Sequence, residues 1–150
     1  MEQLPRVGLA KRLFVLLFLK ARYQPLLRPL WKKQAGLPHT GKYCIKVRSG
    51  DSLPEAQALL FVSQNTSIPI PKLYGAFAHK GRTYIVMQHM EGHMAAHGLV
   101  FRSEKSKTRI TDQLRRMINE LRSVPPPPGT VVDNVAGGSF WDCRLPRSEH

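Results

Sequence analysis

Three proline-containing breaks limit the length of every helix and strand that this chain can form. Pro25 and Pro29 interrupt the first apolar stretch, residues 68–71 read Ile-Pro-Ile-Pro, and residues 125–128 are four consecutive prolines. Proline fixes its own φ, lacks a backbone N–H and pushes the residue before it out of the helical region. Helices and strands must therefore begin and end between these breaks, and residues 68–71 are predicted to form an extended connector.

Between the breaks, apolar periodicity predicts three helices, at residues 9–23, 53–64 and 107–122. The first has strong helix formers and contains neither Gly nor Pro. Ser52 is a candidate N-cap for the second helix, and Glu55 follows three residues later, as in a capping box. The third helix places an apolar set on one face, namely Ile110, Leu114, Met117, Ile118 and Leu121.

Three short segments alternate or run apolar in the manner of strands, at residues 43–47, 72–78 and 82–88. The last two flank His79-Lys-Gly81, which predicts a hairpin. The predicted fold class is therefore α+β: a small antiparallel sheet of about three to five strands with one helix packed on it, followed by further helical elements.

The positive charge is concentrated at the beginning of the chain. The net charge is +13, and residues 1–48 contain eleven Lys or Arg side chains but only Glu2 as an acid. A basic helix at 9–23 could lie on an anionic membrane surface, or it could pack on the domain that follows. The second interpretation is favoured because its apolar side chains surround the helix instead of forming one stripe. Specific nucleic-acid binding is not expected, because no recognition motif or aromatic interleaving accompanies the charge.

Cysteine usage and apolar run length suggest the compartment. Cys44 and Cys143 form neither a CxxC pair nor a disulfide framework, which favours a reducing, cytoplasmic environment. A transmembrane helix needs about 20 consecutive apolar residues, and the longest apolar run here, residues 13–19, is far shorter. No signal-peptide cleavage pattern follows it.

Several ordered motifs resemble those of one protein family. Cys44-Ile-Lys-Val47 is followed by Glu55-Ala-Gln-Ala-Leu59 and then by residues 65–75, which read NTSIPIPKLYG. Residues 81–87 (GRTYIVM), the pair Glu91-Gly92, and stretches within 113–128 and 137–145 continue the pattern. Over about residues 42–146 the chain resembles the aminoglycoside phosphotransferases, which have a protein-kinase-like fold, and especially a large fungal group of that family.

The resemblance implies three regions. Residues 1–35 would be a basic, partly helical N-terminal extension, residues 36–90 a kinase-like small lobe, and residues 91–150 the hinge and an incomplete start of the large lobe. The implied cofactors are ATP and Mg²⁺.

The resemblance also implies roles for individual residues. Lys46 would hold the α- and β-phosphates, and Glu55 would orient that lysine through an ion pair. The hinge would be formed by Gln88, His89 and Met90, whose backbone groups would bind an adenine edge. Ile45, Ile70 and Met87 would be apolar walls of the same site.

Each residue also has a simpler interpretation. Lys46 could point into solvent, Glu55 could only cap its helix, and Met87 could be a core residue.

His89, His93 and His97 have the i, i+4, i+8 spacing of metal ligands on a helix. We do not predict a metal site there, because glycines weaken that helix and no carboxylate or cysteine completes the ligand set.

Residues for the chemical step of phosphoryl transfer do not occur in the sequence. There is no His-Gly-Asp catalytic loop, and Asp133, Asn134 and Asp142 come too early to be the base or the Mg²⁺ ligands that the family requires. We therefore expect the N-terminal part of an ATP-dependent phosphotransferase that is inactive as written, and no catalytic residue is assigned.

Two other functions remain open. The chain could be a non-catalytic, pseudokinase-like nucleotide-binding module, or a basic membrane-surface or interaction protein. The expected partners are a nucleotide and a second copy of the chain, bound through the apolar face of residues 107–122. The acceptor substrate is not predicted, because the large lobe selects it in this family.

Overall fold

The computed structural model describes residues 4–25, 37–50, 53–92, 98–126 and 134–135. The helices and strands in these ranges are α1 (Leu9–Tyr23), β1 (His39–Thr40), β2 (Tyr43–Ser49), α2 (Pro54–Asn65), β3 (Leu73–His79), β4 (Arg82–Gln88) and α3 (Glu104–Ser123). The predicted α+β class and the antiparallel sheet are confirmed. The chain divides into two compact units: Met1–Leu60 with Pro71–His89, and Phe61–Ile70 with Met90–His150.

The first unit is built on a four-stranded sheet with the order β1-β2-β4-β3, in which all neighbours are antiparallel. The strand β2 is longer than predicted, because its pairing with β4 continues as far as Ser49, opposite Arg82. The predicted hairpin is confirmed: Lys80 and Gly81 connect β3 to β4, both with positive φ. Two such residues form the turn whose twist matches that of paired strands.

The register separates the side chains of the sheet into two faces. Residues that lie directly opposite each other in an antiparallel pair point to the same face. Lys46 is opposite Ile85, whereas Ile45 is opposite Val86. Lys46 and Ile45 therefore lie on opposite faces of the sheet.

Helix α1 packs on the Ile45 face. Its Val15 and Leu19 are buried in a cluster with Ile45, Phe77 and Tyr84. The rings of Phe77 and Tyr84 stack with their centroids 5.0 Å apart. The expectation that this helix packs on the domain that follows it is confirmed, and the helix ends at Tyr23, before Pro25.

Helix α2 packs on the Lys46 face. Ala56 is fully buried and forms a cluster with Ala76 and Ile85. Because alanine is small at this contact, the first turn of α2 can approach the sheet closely. Ser52, the predicted N-cap of this helix, lies outside the described residues.

The segment that precedes α1 is held against β3. Val7 is buried, and Gly75 lies beneath it at an irregularity in the pairing of β3 with β4. A β-carbon at position 75 would collide with the Val7 side chain, so glycine is required by this close approach.

In the second unit, α3 begins three residues earlier than the apolar periodicity predicts. Ser103 caps it by accepting a hydrogen bond from the Ser106 N–H at 3.4 Å, and Glu104 occupies the first turn. Negative charge in the first turn is favoured by the helix dipole. No residue of α3 is buried, and Leu114, Ile118 and Leu121 remain exposed.

None of the helices in the described ranges combines the length and the apolar character that a membrane crossing requires.

Candidate functional site

Lys46 lies in the middle of β2 on the face that α2 covers. Only 24% of its side chain is exposed. It is directly opposite Ile85, which is 1% exposed, so the aliphatic part of the lysine crosses apolar surface before its ammonium group reaches polar surroundings. The alternative that Lys46 simply points into solvent is therefore wrong.

Glu55 lies in the first turn of α2, directly before the buried Ala56. The contact of Ala56 with the sheet brings the Glu55 carboxylate to Lys46. The Lys46 ammonium donates a hydrogen bond to Glu55 Oε1, and the two side chains form an ion pair. The predicted pairing of these two residues is thus present in the structure.

Arg48 is a third member of this cluster, which the sequence interpretation missed. Its Nε lies 3.5 Å from the other carboxylate oxygen, Glu55 Oε2. Lys46 and Arg48 are two residues apart on one strand, so both point to the α2 face. That spacing was visible in the sequence, but the position of Glu55 between the two cations depends on how α2 docks.

The cluster carries an excess of positive charge. Two cations share one carboxylate, and an ammonium group has three N–H donors, of which Glu55 takes one. The geometry can therefore bind an anion, with Glu55 fixing the direction of Lys46 and Lys46 donating its remaining hydrogen bonds.

An apolar row lies beside the cluster on the same face. Cys44, Met87 and Leu73 occupy opposing positions on three adjacent strands. Successive residues on one face of a strand are about 7 Å apart, so this row lies next to Lys46 along β2. Met87 is half-buried and is shared between sheet packing and this surface.

Cys44 contributes a buried thiol to the row, with 6% of the residue exposed. Burial raises the pKa of the Cys44 thiol above its ordinary value, and the charge of Lys46 lowers it by a smaller amount. The thiol is therefore neutral near pH 7 and behaves as a small apolar group.

The predicted hinge residues are partly occupied by hydrogen bonds of the sheet. The Gln88 N–H donates to the carbonyl of Lys72 at 2.8 Å, and the His89 N–H donates to the carbonyl of Lys42 at 2.9 Å. Neither N–H can bind an adenine edge without losing its sheet partner. Met90 is exposed and belongs to the second unit.

The three predicted apolar walls do not all belong to the face that carries Lys46. Ile45 is buried under α1 on the opposite face from Lys46, because adjacent residues of a strand alternate between faces. Ile70 belongs to the second unit. Of the three predicted walls, Met87 alone shares the face of the sheet that carries Lys46.

No cluster of metal-binding side chains occurs within the described ranges. His89 stacks on His39 with ring centroids 3.9 Å apart. His93 and His97, together with Asp133 and Asp142, lie outside the described residues.

Comparison of the chain with protein-family models, with curated proteins and with solved structures finds no match. The family resemblance therefore stays a prediction from the sequence.

Proposed function

We propose that the first unit is the small lobe of a kinase-like phosphotransferase domain, in which Lys46 binds nucleotide phosphates and Glu55 orients it. The observation that carries this proposal is the ion pair between a lysine in mid-strand and a glutamate in the first turn of the helix on that face. In protein kinases, a strand lysine and a helix glutamate pair in this way when the ATP site is assembled.

The electrostatics of the cluster favour a phosphate ligand over a neutral one. Glu55 balances one of its two cationic neighbours, so an anion can neutralise the second. Hydrogen bonds between ionised donors and phosphate oxygens are roughly twice as strong as neutral ones. Lys46 is also mostly shielded from water, which strengthens its interaction with an anion.

The neighbouring apolar row suits a planar base. The half-buried Met87 presents apolar surface next to Lys46 on the same face, with the buried Cys44 opposite it in the sheet. A nucleotide bound across this face would place its base on the row and its phosphates at the cluster. This assignment takes Met87 as a contact of the base and leaves Ile45 out of the site.

These residues fit the nucleotide better than they fit Mg²⁺ on its own. Glu55 is the carboxylate of the cluster, and it is already paired with two cations, which disfavours metal coordination. Any Mg²⁺ would have to bind mainly through the phosphates of the nucleotide.

The proposed activity of these 150 residues is nucleotide binding without phosphoryl transfer. The sequence contains no His-Gly-Asp loop to supply a general base. A non-catalytic regulatory module and the nucleotide-binding half of a larger enzyme both agree with this expectation. The two differ in whether other residues add the base and the metal ligands.

The decisive experiment is a titration of the purified chain with ATP, with and without Mg²⁺, by calorimetry. Lys46→Ala should weaken binding by about tenfold or more, because a charge-assisted hydrogen bond contributes about 1.5–3 kcal/mol. Lys72→Ala is the matched control: it removes the same charge from an exposed position of the first unit and should change the affinity by less than about twofold.

Circular dichroism should show that both variants keep the fold. If the wild-type chain shows no saturable ATP binding, or if Lys46→Ala binds as tightly as Lys72→Ala, the proposal is wrong. An assay with ATP labelled at the γ-phosphate tests the second part of the proposal. Phosphate release above background would contradict binding without transfer.

A further inference from the structure

Helix α1 has two apolar stripes, and only one of them is buried. Val15 and Leu19 face the sheet. Away from these two residues, four large apolar side chains are exposed by 82%, 58%, 63% and 55%, namely Leu9, Leu13, Phe14 and Leu17. Phe14 also lines a cavity that Val15 and Ile45 border, so it lies at the edge of the exposed side. The apolar residues that surround the helix in the sequence therefore serve two different surfaces.

The exposed side chains form one continuous surface. Leu9, Leu13 and Leu17 are spaced four residues apart, so they lie above one another along the helix. We call Leu9, Leu13, Phe14 and Leu17 the outer stripe. A soluble protein rarely exposes such a contiguous apolar surface unless something covers it.

Lysines lie at both ends of the outer stripe. Lys11 precedes Phe14 by three residues and Lys20 follows Leu17 by three, so each lysine is adjacent to the stripe. Both are exposed, and α1 contains no acidic residue. Apolar side chains flanked by lysines are typical of helices that lie in the interface of a membrane.

The charge of the first unit indicates what kind of partner would cover the outer stripe. Within its described residues, eleven Lys and Arg side chains accompany a single carboxylate, Glu55. That carboxylate is already paired with Lys46 and Arg48 on the opposite face of the sheet. Next to α1, the described part of the unit thus has no negative charge to balance its lysines.

We propose that α1 docks the protein on an anionic lipid surface, with the outer stripe in the boundary between headgroups and acyl chains. Lys11 and Lys20 contact lipid phosphates, and Val15 and Leu19 remain packed on the sheet. Anionic lipid complements both properties of this surface, because it offers negative headgroups above an apolar layer. A second copy of the same surface would bring like charges together.

Membrane docking through α1 leaves the Lys46 cluster accessible, because α1 and Lys46 lie on opposite faces of the sheet. The proposal therefore does not depend on nucleotide binding. A variant that cannot dock on lipid should bind ATP with the same affinity as the wild-type chain.

The test is co-sedimentation of the full chain with vesicles of phosphatidylcholine, with and without phosphatidylserine. Binding is expected only to the vesicles that contain phosphatidylserine. The double variant Leu13→Gln, Leu17→Gln should weaken binding by about tenfold or more, because it removes apolar surface that enters the lipid. Neither substitution touches the buried stripe.

The matched control is Leu114→Gln, Ile118→Gln, which removes two side chains of α3 that are exposed to a similar extent, 53% and 50%. This variant should bind vesicles as the wild-type chain does. Equal losses in both double variants, or binding to neutral vesicles of the same strength, would overturn the proposal. A third outcome would also overturn it: high salt abolishes vesicle binding, but the Leu13→Gln, Leu17→Gln variant binds as tightly as the wild-type chain. The outer stripe would then take no part in binding.

Sedimentation velocity without lipid tests whether a second copy of the chain covers the outer stripe instead. If the wild-type chain is a dimer that the α1 variant converts to a monomer, and vesicles do not bind, then a second copy covers the outer stripe and the proposal is wrong. A thermal melt should show that each double variant remains folded.

Discussion

The side chain of Val7 lies directly over the Cα atom of Gly75, and a β-carbon at position 75 would collide with a Val7 methyl group. The carbonyl oxygen of Pro5 is also close, 3.3 Å from the position of that β-carbon. Val7 is buried in the same cluster as Phe77. This contact fixes the chain before α1 on the sheet, and it accounts for a glycine within β3.

Gly75→Ala should therefore lower the free energy of unfolding by about 1–3 kcal/mol, the usual cost of an extra group in a packed site. Val7→Ala alone should also destabilise the chain, because Val7 is buried, but the double variant should lose less stability than the sum of the two single variants, because the colliding methyl group is gone. Urea unfolding measures both effects. Gly98→Ala is the control, since its nearest neighbour would be the Arg102 side chain at 3.9 Å. Equal effects at positions 75 and 98 would contradict the steric explanation.

The thiol of Cys44 should react slowly in the folded protein. Burial raises its pKa, with Lys46 opposing this to a smaller extent, and alkylation requires the thiolate. In a Cys143→Ser background, iodoacetamide should modify folded Cys44 at least about tenfold more slowly than the urea-unfolded chain. A native rate equal to the unfolded rate would show that Cys44 is accessible and ionises normally.

The same pKa shift predicts a loss of stability at alkaline pH. A thiol whose pKa is raised by folding holds its proton more tightly in the folded state than in the unfolded state. Its contribution is complete below the unfolded pKa and is lost as the pH rises through the folded pKa. Cys44→Ala should reduce this part of the alkaline loss when unfolding is followed as a function of pH.

Glu120 should stabilise the second unit by joining α3 to the segment that follows α2. Its carboxylate accepts hydrogen bonds from the N–H and from the hydroxyl of Ser67, 53 residues earlier in the chain. Glu120→Gln should cost about 0.5–1.5 kcal/mol, and Ser67→Ala less, because the N–H bond remains. In a double-mutant cycle the two effects should not be additive.

Asp112→Asn is the comparison for this prediction, because Asp112 pairs with Arg115 one turn away, inside the same helix and away from its first turn. Such a local pair contributes only about 0.3–0.5 kcal/mol. If Asp112→Asn and Glu120→Gln destabilise the chain equally, the contact with Ser67 contributes nothing beyond a local pair.

The apolar face of α3 should cause self-association of the 150-residue chain. Leu114, Ile118 and Leu121 are exposed, and apolar surface gains about 25 cal/mol per Å² when it leaves water. Leu114→Glu with Ile118→Glu should lower the average mass in sedimentation velocity at high concentration. A chain that is already monomeric and melts cooperatively at high temperature would contradict this prediction.

Most of the secondary structure was predictable because its signals are local. The bounds of α1 follow from helix formers that end two residues before Pro25, and the hairpin follows from Lys80 and Gly81. The start of α3 was placed three residues late, since the apolar repeat does not extend to the Ser103 cap. Apolar periodicity identifies the body of a helix, whereas capping determines where it begins.

The site was only partly predictable, because its geometry depends on contacts between distant segments. The pairing of Lys46 with Glu55 was expected from a resemblance between sequences. Three features of the site were not expected. Arg48 joins the cluster, Ile45 lies on the other face of the sheet, and the N–H groups of Gln88 and His89 are occupied. The contact of Arg48 depends on how α2 docks, and the occupied N–H groups depend on strand pairing, which no local pattern records. The placement of Ile45 follows from the alternation of neighbouring strand residues between faces, so it could have been predicted from the sequence.

The sequence by itself determined the three helices and the three longer strands, but not β1, and it determined where the positive charge lies and which lysine and glutamate are candidates for a phosphate site. Tertiary structure decided which side of each element is covered. The aliphatic residues of α1 look equivalent along the chain, yet packing on the sheet buries Val15 and Leu19 and leaves Leu13 and Leu17 exposed. The physical reason is that helical periodicity fixes which side chains share a face of the helix. Which of these faces is buried depends on where the sheet packs against the helix.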